Sequence, residues 1–400
     1  MKNFFLLTLL CVGLASCDIS DNDVDPTQSF LKIYDNNTFN SSFVPVDIQQ
    51  TADGGYLVLG STRIEDSDFT GVYVMKVDEN GEFLSEQNLS TQYISPAKSL
   101  MSINGSFYFA AMRDISYQAL LFELDDNGNL TDSIELNVTR PMFASNVNNE
   151  IILQSYNHGD RNTEISTIAL ADPIIISEPT KFAIGDGDGI DLPIFEHFTR
   201  TGRKLPFFTG KTETGLYFFN GFYRFTISMV FTNLISDNDP TGVLQGQRED
   251  DGVSTAIHLT GNRFAVSRFN RFGDTYILPN ADIDIANKIG IANDLVGNPF
   301  PELVPDARLV LKRITVNERL VLIYGGDTRS GQIILMAYSP DTGELLGTKY
   351  LGFSNPYELA SFNATEDGGL VVLGSTAIAG RFDRFSIFKL SSAELQEFTN

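Results

Sequence analysis

Two segments decide how this 400-residue chain is read: Thr51-Ala52-Asp53-Gly54-Gly55-Tyr56-Leu57-Val58-Leu59-Gly60-Ser61-Thr62 and Thr365-Glu366-Asp367-Gly368-Gly369-Leu370-Val371-Val372-Leu373-Gly374-Ser375-Thr376. Nine of the twelve positions are identical, and two of the three differences keep an apolar residue. Asp-Gly-Gly sets a tight turn, because glycine reaches positive φ without steric cost and aspartate bonds its own backbone. The apolar run after each turn suits a strand buried on both faces. A further strand follows each copy: Val72-Tyr73-Val74-Met75-Lys76-Val77 and Phe385-Ser386-Ile387-Phe388-Lys389-Leu390.

Fainter copies lie between. Ile103-Asn104-Gly105-Ser106-Phe107 is a turn entering a strand, and the same pattern starts at Asn149-Glu150-Ile151, Thr214-Gly215-Leu216, Gly261-Asn262-Arg263-Phe264 and Asn317-Glu318-Arg319-Leu320. The turns Asp78-Glu79-Asn80-Gly81, Asp125-Asp126-Asn127-Gly128 and Pro340-Asp341-Thr342-Gly343 also correspond. Asp53 and Asp367 are 314 residues apart. Seven starts across that span give a period of about 52 residues, near the spacing of propeller blades. A small antiparallel sheet cannot bury both faces alone, and stacking sheets around an axis solves this. The expectation is therefore an all-β fold: a β-propeller of seven four-stranded blades over residues 29–400. Ser29-Phe30-Leu31-Lys32-Ile33-Tyr34 is expected to add the outer strand of the last blade, so that N- and C-terminal strands pair and close the ring. Half-propellers in two domains, or a β-sandwich followed by an irregular part, are the alternatives. The best helical signal, Asp282 to Ala292, is short and broken by Gly290.

The chain opens with Lys2, an apolar run from Phe4 to Leu14, and Leu14-Ala15-Ser16-Cys17. Charge, apolar segment and small residues follow the order of a secretory signal. The run is much shorter than the roughly 20 residues that span a bilayer. Leu14-Ala15-Ser16-Cys17 resembles the lipobox of bacterial lipoproteins, which implies removal of residues 1–16 and lipid on Cys17. Of the two cysteines, Cys11 lies in the segment to be removed, so no internal disulfide is expected. Residues 17–28 read as an acidic, solvated tether. Together with the Asp-Gly-Gly and Asp-x-Asn-Gly repeats, this stretch resembles surface lipoproteins of the Bacteroidota that carry β-propeller repeats. That resemblance implies an outer-membrane, lipid-anchored protein facing the cell surface.

The formal charge is −23 and the sequence pI about 4.4, with 31 Phe, 14 Tyr and no Trp. Such a surface repels nucleic-acid phosphates, so nucleic acid is excluded as a partner class. The membrane is reached through lipid on Cys17, and the expected partner is an outer-membrane protein or a glycan.

Chemistry-bearing motifs are sparse. His158, His197 and His258 stand apart, with no metal-binding spacing between them. A nucleophile elbow and a phosphate-binding loop are both missing. Gly185-Asp186-Gly187-Asp188-Gly189-Ile190-Asp191 places three carboxylates, Asp186, Asp188 and Asp191, on a glycine-bent backbone. This is a calcium candidate and the only cofactor suggested, although the closing acid of an EF-hand is replaced by His197. A basic and aromatic cluster in the middle of the chain includes Arg203, Lys204, Phe208, Arg224, Arg268 and Arg271. It reads either as a binding patch for sugar rings or a protein surface, or as blade core with solvated arginines. The reading leans away from an enzyme, toward a non-enzymatic binding or scaffold module for a protein complex or glycan. An extracellular propeller hydrolase or lyase with axial carboxylates is the alternative. Carboxylates facing each other in an open funnel would favour the enzyme. A closed axis with an aromatic rim would favour binding.

Overall fold

The structure is a computed structural model, which describes residues 29–34, 42–187, 189–378 and 382–400. The signal segment, Cys17 and the acidic tether lie outside the described residues.

The strands run in chain order as follows. Strand β1 (Phe30–Tyr34) is followed by β2 (Phe43–Gln50), β3 (Tyr56–Arg63), β4 (Thr70–Val77), β5 (Phe83–Asn88) and β6 (Tyr93–Ile94). Then come β7 (Met101–Ile103), β8 (Ser106–Arg113), β9 (Gln118–Leu124) and β10 (Leu130–Thr139). The next group is β11 (Pro141–Val147), β12 (Glu150–Asn157), β13 (Asn162–Ala169), β14 (Ile175–Ile176) and β15 (Thr180–Ala183), followed by helix α1 (Leu192–Phe198). Beyond it lie β16 (Phe208–Lys211), β17 (Tyr217–Tyr223), β18 (Thr226–Thr232), β19 (Gly242–Gln245), β20 (Gly252–Thr260), β21 (Arg263–Phe269), β22 (Thr275–Asp282), β23 (Gly290–Ile291) and β24 (Asn298–Pro299). The last part holds β25 (Val310–Val316), β26 (Arg319–Asp327), β27 (Ile333–Tyr338), β28 (Leu345–Leu351), β29 (Tyr357–Ala364), β30 (Leu370–Ile378), β31 (Phe382–Leu390) and helix α2 (Ser392–Thr399).

These strands form six sheets. Each unit is an up-and-down meander whose second strand opens just after one of the turns read from the sequence, at β3, β8, β12, β17, β21, β26 and β30. Gly54 and Gly368 take φ of +83° and +78° in the Asp-Gly-Gly turns, where a side chain would be strained. The described residues form an all-β propeller and not a sandwich.

The propeller has five blades and not the expected seven four-stranded ones. Five sheets stand alone with four or five strands each, while the sixth has nine strands. In that sixth sheet, the meanders β2–β5 and β7–β10 are joined by β6, which pairs with β4 on one side and β8 on the other. Gly71 makes this possible: a Cβ there would lie 2.0 Å from that of Ser90, so only glycine lets the connector dock so closely. The helix signalled over Asp282 to Ala292 does not form, and only a single 3-10 turn, Ala292–Asp294, follows it. The chain continues from β22 into a loop that ends in β23.

Middle strands are buried on both faces because a neighbouring sheet covers each. In β3 and β4 nearly every residue is buried, as continuous apolar runs demand. The outer strand β5, Phe-Leu-Ser-Glu-Gln-Asn, is almost wholly exposed, and its polar residues blunt a free edge. Apolar clusters fill the spaces between neighbouring units around the ring.

The seam is sewn as the sequence implies. Strand β1 pairs antiparallel with β31, from Phe30 opposite Lys389 to Tyr34 opposite Phe385. One apolar cluster joins Phe43, Val58 and Tyr73 of the first unit to Leu373, Phe385 and Ile387 of the last. A Cβ at Gly60 would lie 2.4 Å from the Phe385 ring, which explains the glycine of the repeated Gly-Ser-Thr. The amide of Glu366 donates to Gln50 Oε1 at 2.7 Å. After β31, Ser391 and Glu394 form a capping box that starts α2. Leu395 and Phe398 of α2 then cover the core between the last two sheets.

Both Asp-Gly-Gly turns carry a clasp that their sequences share. Lys76, only 2% exposed, reaches from β4 to Asp53 Oδ1 at 2.8 Å. Lys389, 1% exposed, reaches from β31 to Asp367 Oδ2 at 2.7 Å. Burial opposes ionisation of Asp53, but bonds from Lys76, Thr51 and the Gly55 amide outweigh it and hold its carboxyl at about 2. Asp367 is lowered in the same way, against burial, by Lys389, Thr365 and the Gly369 amide.

Candidate functional site

The first strands of neighbouring units pack against one another around the ring axis, and one end of the ring is capped. The cap is formed by the described residues 184–187 and 189–207 between β15 and β16, with α1 at its centre. Pro193 lies in the first turn of α1, where its missing N–H costs no helical bond. Ile184, Ile194, Phe198, Leu205 and Phe207 of the cap pack on Ile94, Met112, Met142, Tyr156, Phe222 and Phe269, which come from successive units of the ring. The cap is tied down at Arg200, whose amide donates to the Asp68 carbonyl at 2.6 Å, and at Arg203, whose Nη1 lies 2.7 Å from Asp250. Gly202 turns the chain back onto α1: a Cβ there would sit 1.8 Å from the Glu196 carbonyl oxygen. That return lets Lys204 donate to the carbonyls of His197, at 2.6 Å, and Thr199.

Beneath the cap the axis is charged. Lys98 precedes β7, Arg308 precedes β25, Lys312 lies on β25, Asp327 ends β26 and Glu358 lies near the start of β29. Lys98 interacts electrostatically with Asp47, Lys312, Arg308 and Asp327, and Arg308 with Asp306, Asp327 and Glu358. Lys98, Arg308 and Glu358 remain open to water. Enclosure by protein, reinforced by Lys312 and Arg308 and opposed by Asp47 and Asp327, lowers Lys98 to about 8. Burial and then Arg308 lower Lys204 to about 8. Burial and the nearby Arg203 bring Arg308 down to about 10, against the pull of Asp306, Asp327 and Glu358. Asp327 is raised to about 6 by burial and by Glu358, although the Leu359 amide donates to it at 2.7 Å. Asp47, by contrast, is occupied, accepting the amides of Ile48 at 2.9 Å and Leu100 at 2.8 Å.

The structure separates the residues singled out from the sequence. Phe208 is core, in the cluster shared with Phe218 and Phe264. Arg268 is buried, bonded to the Leu295 carbonyl at 2.7 Å and Asn293 at 3.0 Å. Arg203 and Lys204 hold the cap. Only Arg224 and Arg271 stay on the surface, beside Tyr223 and Phe272. The cluster is thus largely blade core and cap, with an exposed remnant.

Asp191 accepts from Tyr156 Oη at 3.2 Å and lies 3.5 Å from Arg161 and 3.4 Å from His158 Nδ1. Asp186 is exposed, and Asp188 lies outside the described residues. A calcium ion on all three would have to take Asp191 from Tyr156 and Arg161. His197 accepts the Leu205 amide on Nδ1 at 2.8 Å. Burial, with Lys204 and Arg308 nearby, holds its pKa well below the ordinary value, so it stays neutral. His258 bonds the Gly261 carbonyl. No metal-holding group of three or more His, Cys, Asp or Glu occurs among the described residues. None of the described helices is long and apolar enough to cross a membrane.

The hairpin loops around the capped end present isolated apolar side chains: Ile115 is 85% exposed, Phe225 48% and Phe272 74%. Sequence reading found the arginines beside two of these. It missed the axial charges, which come from strands far apart in the chain.

No protein-family model matches this chain, and no curated protein is similar to it in sequence. Among solved structures it is similar to the Dos1 propeller, with a TM-score of 0.49 and 10% identity over 92% of this chain and 97% of that one. It is also similar to the β-propeller domain of the Trilobed protease from Pyrococcus furiosus, with a TM-score of 0.47 and 9% identity over 87% and 95%. A third likeness is to prolyl oligopeptidase B from Galerina marginata, with a TM-score of 0.41 and 10% identity. It covers 84% of this chain but only 46% of that one, about half its length. These likenesses concern the fold and carry no activity across.

Proposed function

We propose that this chain is an exported propeller held on the outer membrane by lipid on Cys17, facing the cell surface, where it serves as a binding or scaffold module for a protein complex or glycan. The observation that carries this reading is the capped end. There α1 roofs the ring, and the loops around it offer Ile115, the Arg224–Phe225 pair and the Arg271–Phe272 pair to solvent. Exposed aromatics beside arginine suit flat partner surfaces and sugar faces. The anchor is supported by Leu14-Ala15-Ser16-Cys17 and the acidic stretch after it.

Cys17→Ala is expected to move the protein from the membrane to the soluble fraction, and retention in the membrane would count against the anchor. A pull-down of lipidated protein from native membranes in mild detergent should recover a partner, and Arg271→Ala with Phe272→Ala should weaken that capture. Recovery of the bait alone contradicts the partner reading.

One observation favours the hydrolase or lyase alternative. Asp327 is held at about 6, with Glu358 close by, and a protonatable acid beside a second carboxylate is the equipment of glycoside cleavage. Cleavage of a polysaccharide by the intact chain, abolished in Asp327→Asn, would replace the binding reading.

A further inference from the structure

We infer that the groove beside Ser29, between β28 and the closing strands β1 and β31, is the surface this propeller lays on the membrane, with Phe353 entering the lipid interface. This deepens the anchored reading above, rests on lipid at Cys17, and says which wall of the ring meets the bilayer.

Three observations carry it. The first is the groove itself, a cavity of about 330 Å³. Leu351, Phe388 and Leu390 are its buried lining, while Leu31 and Tyr350 are exposed and Phe353 is 89% exposed. Phe353 is held outward: Gly352 turns the chain at φ +94°, and its carbonyl accepts Gln332 Nε2 at 2.9 Å. An apolar patch kept at a surface marks a place of contact with another apolar surface. The charges that line the groove are paired, Lys349 with Glu394 at 3.1 Å and Lys389 with Asp367 at 2.7 Å. In a chain of net charge −23, this wall therefore brings no excess of lining negative charge to a lipid surface. The second observation is where the chain arrives. Ser29 lines the groove, and its Oγ accepts the Ser391 amide at 3.2 Å. Only residues 18–28 separate it from Cys17, a reach of at most about 40 Å. A domain of this length is roughly 50 Å across, so lipid on Cys17 keeps the bilayer on the Ser29 side. The third is access. Both β1 and β28 are the last strands of their sheets, so the groove lies on the outer wall of the ring, where a flat bilayer reaches it. An aromatic side chain there settles at the boundary of headgroups and acyl chains.

The test uses the chain from Cys17 onward, in which Cys17 is the sole thiol and Trp is absent. It is coupled through that thiol to a maleimide lipid in phosphatidylcholine vesicles. Phe353→Trp puts a single indole at the groove. Ile175→Trp puts one at an exposed position of β14, in the sheet across the ring. Replacing the phosphatidylcholine with its chain-brominated form should quench the emission of Phe353→Trp at least twofold and leave that of Ile175→Trp unchanged. Tyr350→Trp should respond as Phe353→Trp does, and it guards against a Phe353 variant that fails to fold. No quenching at either groove position, or equal quenching at Ile175→Trp, would overturn the inference. So would a dimer of the uncoupled chain that Phe353→Ser dissociates, because a second copy would then occupy the groove. Chemical coupling keeps this result separate from natural anchoring: retention of Cys17→Ala in native membranes fails the anchor, whereas absent quenching on coupled vesicles fails the groove.

Discussion

The two end units and the middle of the ring build the same meander by different means. In the last unit, Thr365-Glu366-Asp367-Gly368 turns the chain, and Lys389 comes from the next strand to hold Asp367. In the middle, Thr212-Glu213-Thr214-Gly215 makes the corresponding turn with threonine in place of the aspartate. There Phe231, fully buried, takes the lysine's place: Phe218 pairs with Phe231 as Val371 pairs with Lys389. The hydroxyls of Thr212 and Thr214 bond each other at 3.0 Å. A polar clasp and an apolar plug therefore serve the same fold. The clasped ends are neighbours in space and carry the seam, while the middle carries the cap that roofs one end of the ring.

The largest expected effect comes from breaking the seam. Deleting β1 while keeping the residues before it bares the edge of β31 and strips the half-buried Phe30, Ile33 and Tyr34 from the sheet. The expected loss in urea unfolding is about 5 kcal/mol, at roughly 1.5–3 kcal/mol per apolar side chain when burial is complete and less here. A loss under about 1 kcal/mol would mean that the ring closes without it.

The clasp and the plug should then separate. Asp367→Ala leaves Lys389 buried without its carboxylate and should cost about 3 kcal/mol, the range for breaking a buried pair. Thr214→Ala removes a neutral hydrogen bond and should cost about 1 kcal/mol or less. Asp367→Ala combined with Lys389→Met should recover most of the loss. Equal costs for Asp367→Ala and Thr214→Ala would erase the distinction.

Much of this was legible. Turn residues with positive φ, glycine at five starts, Asn148 before β12 and Asn317 with Glu318 before β26, and the apolar runs after them mark the second strand of each meander, because those features are local. The closing strand was legible too, since residues 29–34 form an apolar stretch before the first full copy. The lysines of the clasp stood in view at matching places in the repeats, in Met75-Lys76-Val77 and Phe388-Lys389-Leu390, but a lysine in a strand ordinarily faces water. Helix α2 carries a capping box at Ser391 and Glu394 that the sequence reading passed over, whereas α1 is fixed by packing on units far off in sequence. The docking of β6 depends on the closeness of Gly71 and Ser90, which no periodicity encodes. The axial set is assembled from residues 98, 308, 312, 327 and 358, and only closure of the ring brings them together.

Titration gives smaller, sharper contrasts. The clasp aspartates are depressed on folding, so their stabilisation is complete above the ordinary carboxyl range near pH 4 and is lost as pH falls through about 2 for Asp53. The Asp53→Asn, Asp367→Asn variant should lose less stability than the parent between pH 4 and 2, as read by urea midpoints. Lys98 behaves in the opposite sense. Lowered to about 8 in the fold, it sheds its proton before the unfolded chain does, so stability should rise between pH 8 and about 10.4. Lys98→Met should show a shallower rise, and an unchanged slope would mean that Lys98 is not enclosed.

Amide hydrogen exchange across the seam tests the closed ring most directly. Because Phe30 to Tyr34 are laddered to β31 on one side only, the alternate amides of this stretch that face β31 should exchange as slowly as those of Phe385 to Lys389 opposite them. Fast, coil-like exchange throughout 30–34 beside a protected β31 would contradict a ring sewn shut by its own first strand.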